Sequence, residues 1–111
     1  MEWIRQHCMS LPHATEQVQW EDQLVFKIGG KMFAMMPLSP PFRLSLKVTL
    51  EEFHELTEKP GIIPAPYLAR AHWVALESVN ALPRPEIKEL LSGSYKLVFE
   101  KLPKKAQSSL A

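Results

Sequence analysis

Two adjacent glycines, Gly29-Gly30, stand between the apolar runs Leu24–Ile28 and Lys31–Met36. A two-residue link between strands works best with positive φ at both positions, which glycine adopts without a Cβ clash. The chain is therefore expected to reverse here and pair the two runs antiparallel. Alternation would place Phe26 and Ile28 on one face and Val25 and Lys27 on the other. Beyond the turn, Met32, Ala34 and Met36 alternate with Lys31, Phe33 and Met35. Both faces carry apolar side chains, so neither reads as fully exposed. Pro37, Pro40 and Pro41 then interrupt the ladder, because proline donates no backbone hydrogen bond. Phe42–Val48 resumes it, with Leu44, Leu46 and Val48 inward and Arg43, Ser45 and Lys47 outward.

Helical periods surround this sheet. Trp3, Ile4, His7, Cys8 and Leu11 recur at helical spacing over about residues 2–10, and Leu11-Pro12 ends the run. Thr15 offers a cap for one further turn, after which the chain extends around Val18-Gln19-Trp20. Thr49-Leu50-Glu51-Glu52 has capping-box spacing and opens a helix that Pro60-Gly61 stops. Residues 61–71 read as an ordered loop, and His72–Glu77 as a short strand. Pro83 and Pro85 suit a helical first turn, and Ile87, Leu90, Leu91, Ser94, Val98 and Leu102 continue it in steps of three and four. Gly93 inside that helix points to close packing against a neighbour. Pro103 ends the helix, leaving residues 104–111 as a mobile polar tail.

This order predicts an α+β fold, an antiparallel β-sheet with helices packed on one face. With 111 residues, 46% hydrophobic and 23% charged, the chain suits one globular domain, placed at residues 1–103. No apolar run spans a bilayer and the N-terminus lacks signal-peptide character, so a cytoplasmic, membrane-free monomer is the starting expectation. Cys8 is the single cysteine, which excludes an internal disulfide and a multi-cysteine zinc site. His7, His13, His54 and His72 are scattered, with no HExxH or nucleophile-elbow spacing. Neither an enzyme, a metal site nor a cofactor is expected.

The formal net charge of +1 names no partner, but its distribution is uneven. Residues 1–23 hold one Arg against four acids, and residues 49–60 one Lys against four acids. Residues 24–48 hold Lys27, Lys31, Arg43 and Lys47 with no acid, and residues 84–111 hold six basic against three acidic residues.

Several blocks resemble a known family in order along the chain. They are Leu11-Pro12-His13-Ala14-Thr15-Glu16, Phe26–Ala34, Leu46-Lys47, Pro60–Tyr67, His72-Trp73-Val74, Ser94–Val98 and Lys101–Lys105. Together they are similar to the MmcQ/YjbR family, whose members are proposed to bind DNA. The resemblance implies a CyaY/frataxin-like sheet with helices on one side and a double-wing mode in which β-hairpins contact DNA. Relatives often carry Cys where this chain has Val48, so a thiol-dependent role at that point is not implied here.

Two functional readings follow. In the first, Lys27, Lys31, Arg43 and Lys47 form a basic sheet surface that meets phosphates with low sequence specificity, aided by Lys96, Lys101, Lys104 and Lys105 on the last helix and tail. Tyr67, Trp73 and Tyr95 are the aromatic residues able to add contacts to bases. Each has a structural alternative: lysines at a sheet edge also prevent aggregation, cations also complement a helix C-terminus, and Trp73 also serves as a core residue. In the second reading the chain binds a protein or small ligand through the Pro60–Trp73 loop and Met32–Met36, without nucleic acid.

Overall fold

The computed structural model describes residues 2–66 and 68–110. Helix α1 (Glu2–Ser10) leads into β1 (Thr15–Gln19), β2 (Gln23–Ile28), β3 (Lys31–Pro37) and β4 (Leu44–Lys47). Helix α2 (Leu50–Thr57), β5 (Ile62–Pro64), β6 (Trp73–Leu76), α3 (Arg84–Glu100) and α4 (Lys104–Leu110) follow. The strands form one antiparallel sheet in the order β1-β2-β3-β4-β6-β5. The expected α+β architecture is present. Gly29 (φ 59°) and Gly30 (φ 80°) make the β2–β3 turn in the left-handed region, as that link requires.

Residues from three helices share one core with one sheet face. Ile4 and Cys8 of α1, Leu56 of α2, and Ile87, Leu91 and Val98 of α3 pack with Phe26, Ile28, Leu44, Leu46, Val74 and Leu76. The Cys8 thiol is fully buried and its pKa is pushed up to about 12 by that burial, so it stays protonated and inert near neutral pH. Helix α2 begins at the expected capping box: Thr49 Oγ1 accepts from the Glu52 N–H (3.1 Å), and the Thr49 N–H donates to Glu52 Oε1 (3.0 Å).

Strict alternation fails in β3. Phe26 pairs with Ala34 but Lys27 pairs with Met32, so Phe33 is an extra residue, a β-bulge. Phe33 and Ala34 both enter the helix-side core, while Met32 joins Met35 on the opposite face. That opposite face has a small core of its own, Ala65, Trp73 and Ala75, with Met32, Met35, Ile63 and Leu68 against it.

Four local expectations are corrected. Thr15 starts β1 rather than capping a helical turn, and Ile62–Pro64 is an edge strand paired with β6 rather than loop. Pro64 is tolerated because it ends a strand at the sheet edge, where an N–H is dispensable. Gly93 has open space where a Cβ would stand, so close packing does not explain it. Residues 104–110 form a helix instead of a mobile tail. The Gln107 amide donates to the carbonyls of Leu102 (2.8 Å) and Glu100 (3.2 Å) at the end of α3, and Ala106 and Leu110 lie against the core. These bonds satisfy carbonyls that a helix end otherwise leaves open.

Candidate anion-binding cleft

The β2–β3 turn, the end of β4, the start of β6 and the end of α3 meet at one end of the sheet. Leu102 holds the turn there: a Cβ added to Gly29 would lie 2.6 Å from Leu102 Cδ1, so only glycine permits this approach. The buried Ser94 hydroxyl fixes α3 to β4, sitting between the carbonyl oxygens of Lys47 and Leu90. From the other side, the chain after β5 folds over Trp73, whose carbonyl accepts from the Ala65 N–H (3.0 Å) and whose N–H donates to the Leu68 carbonyl (3.2 Å).

These constraints leave a cleft of about 310 Å³ lined by Met32, Trp73, Val98, Leu102 and Pro103, with Lys31, Lys47 and Lys101 around it. Among the described residues, no carboxylate lines it. Lys47 Nζ donates to the Ala71 carbonyl (2.8 Å), which aims the ammonium across the β4–β6 pair where Lys47 faces Trp73. Partial burial, and then the neighbouring charge of Lys101, hold the Lys47 pKa below its ordinary value. The cleft is therefore electropositive and short of counter-charge, the condition under which an incoming anion is attracted.

The structure brings together only part of the set singled out from the sequence. Lys31, Lys47, Lys101 and Trp73 line the cleft. Lys27 is opposite Met32 on the same sheet face, with Nζ donating to Gln17 Oε1 (3.1 Å). Arg43 is four residues from Lys47 along the strand, roughly 13 Å at the usual rise. It pairs with Glu77 (3.9 Å) and lines a different hollow with Asp22 and Pro66. Lys96 borders a groove with Glu51, Glu52 and Glu100, on a surface where acids outnumber it. Lys104 and Lys105 are exposed in the first turn of α4, where the helix dipole opposes rather than complements their charge. Lys101, at the end of α3, has the favourable placement.

Among the aromatic candidates, Trp73 is 4% exposed, so it forms the cleft floor and not an open stacking platform. The Tyr95 hydroxyl donates to the Pro12 carbonyl (2.7 Å), and its ring meets Phe33 and Phe99 on the helix side. Tyr67 lies outside the described residues. In the sequence, Val98 and Leu102 belong to the apolar stripe of the last helix and Pro103 is its stop. Their part in the cleft depends on where the helix ends in space, which spacing does not encode. Among the described residues, no cluster of three or more His, Cys, Asp or Glu is placed to hold a metal ion, and no helix is long and apolar enough to cross a membrane.

Comparison with known proteins places this geometry. The Deinococcus radiodurans protein DR2400, a DUF419 domain, is 36% identical and superposes with a TM-score of 0.89, over 98% of this chain and 86% of that one. A Pseudomonas syringae protein is 24% identical with a TM-score of 0.70, over 86% of this chain and 96% of that one, a likeness of fold. No curated protein matches the sequence. The YjbR family model matches residues 9–97, from the end of α1 through most of α3, and the chain belongs to the YjbR family.

Proposed function

We propose that this chain is a DNA-binding domain of low sequence specificity, a binding module and not an enzyme, which meets phosphates through the cationic end of its sheet. The observation that carries the reading is the convergence of Lys31, Lys47 and Lys101 from three separate elements on one cleft that no carboxylate lines among the described residues. Lys27 extends the positive surface across the same sheet face, and Lys47 already has its geometry fixed by the Ala71 carbonyl. Ammonium groups set around a cleft supply attraction for phosphates without reading base edges, which is the basis of low specificity. The implied double-wing mode fits the position of the β2–β3 turn beside these lysines.

The test is fluorescence-anisotropy titration of labelled duplex DNA across a salt series. Four phosphate contacts by Lys27, Lys31, Lys47 and Lys101 predict a log K against log salt slope of about −3.6. Replacing Lys31 and Lys101 together with alanine is expected to weaken binding and bring the slope to about −1.8. Folded protein that fails to bind DNA at low salt overturns the proposal.

A further inference from the structure

The apolar floor of the cleft has no part in holding duplex phosphates. Phosphate contacts need cations and hydrogen-bond donors, yet here Met32, Trp73, Val98, Leu102 and Pro103 come between the three lysines. A volume of about 310 Å³ is at the small end of clefts that hold small organic groups, typically ~300–1,000 Å³. Within a duplex, stacking and pairing keep the flat apolar faces of bases from such a slot. In a single strand they are free to turn outward.

We propose that the cleft receives one unstacked base of a single-stranded nucleic acid, while Lys31, Lys47 and Lys101 hold the phosphates flanking it. This rests on the phosphate-binding reading above and adds the state of the strand. Charge complementarity selects the occupant: a group apolar in its middle and anionic on both sides matches an apolar floor rimmed by ammoniums. The lining side chains apart from the lysines carry no carboxylate, amide or hydroxyl to read a base edge, so the cleft accepts any base that fits. It is also largely prebuilt. Leu102 is wedged against Gly29, Ser94 joins α3 to β4, and Trp73 is bonded through its backbone on both sides.

The experiment compares three labelled probes of equal length on the parent protein: an oligothymidine strand, an abasic strand with the same phosphates, and a duplex. The expected result is oligothymidine binding tighter than the abasic strand by about five-fold, the lower end of what one stacked base contributes, since Trp73 is almost wholly buried. A Val98→Leu variant, confirmed folded by near-UV circular dichroism, narrows the slot with an aliphatic side chain and keeps every lysine. It is expected to remove the preference while retaining binding to the abasic strand. Equal binding of the oligothymidine and abasic strands overturns the base-binding proposal and leaves the phosphate reading intact. Failure of all three probes overturns both. Thymidine monophosphate binding as tightly as the strand overturns the single-strand assignment in favour of a small-ligand cleft. The probe comparison on the parent decides the matter even if Val98→Leu does not fold.

Discussion

The two faces of the sheet are made from alternate residues of the same strands, yet they are finished in different ways. On one face, α1, α2 and α3 cover Phe26, Ile28, Leu44, Leu46, Val74 and Leu76. On the other, Ala65 and Leu68 of the segment after β5 pack with Trp73 and Ala75, and the surface beside them carries Lys27 and Lys47. The covered face is specified by volume and apolarity, so its tolerance to change is low. The partly open face combines a small apolar cluster with Lys27 and Lys47, which among the described residues have no ion-pair partner. Stability is concentrated on the first face, whereas the proposed phosphate contacts belong to the partly open surface and the cleft at its end. The β3 bulge serves both, sending Phe33 to the helices and Met32 to the cleft.

That division is open to direct attack. Leu91→Ala, at a fully buried position of the helix-side core, is expected to cost about 2–5 kcal/mol in chemical unfolding. The replacement of Lys31, exposed beside the β2–β3 turn at the cleft, should stay within about 0.5 kcal/mol of the parent, as exposed substitutions usually do. A large stability loss at Lys31 would break the comparison.

The two glycines associated with the cleft and with α3 sharpen it further. Gly29→Ala places a Cβ at positive φ against Leu102, and is expected to destabilise by ~1–3 kcal/mol and to weaken DNA binding through the displaced leucine. Gly93→Ala, on an exposed helical surface with open space around it, is expected to stabilise by about 0.5–1 kcal/mol in thermal unfolding and to leave binding unchanged.

The smallest effect comes from His7, where α1 meets α3. Its Nε2 is 2.9 Å from Ser92 Oγ, and burial, reinforced by the charge of Lys88, lowers its pKa below 6.5. The unfolded chain then takes up the proton more readily than the folded one, so stability falls as pH drops through 6.5 and continues to fall until the folded histidine is also protonated. Unfolding midpoints measured between neutral pH and the carboxylate range should show this slope, and His7→Gln should flatten it. An unchanged slope in the variant would remove His7 from the account.

Legibility from sequence differed between these regions for physical reasons. The β2–β3 turn, the α2 capping box and the stripe of α3 were readable because each depends on residues within a few positions of one another. Strand β5 was hidden because three residues between Gly61 and Ala65 give no period, and pairing with β6 creates it. Helix α4 was hidden because its residues look polar, while the bonds that hold it run from Gln107 back to the end of α3. Trp73 takes the core role its sequence position also allows, in the smaller core on the far sheet face.

The basic set shows the same boundary. Charge segregation placed Lys27, Lys31, Arg43 and Lys47 in one acid-free stretch of sequence, but only tertiary structure parted Arg43 from the others and gave it Glu77. It also brought in Lys101, 54 positions along the chain from Lys47. By itself the sequence determined the class of fold, the hairpin and the helix start at Thr49, because local backbone preference and apolar period decide those. The tertiary structure decided which cations converge and what lies between them, because a cleft is a property of where separate elements end in space, and no local pattern encodes that.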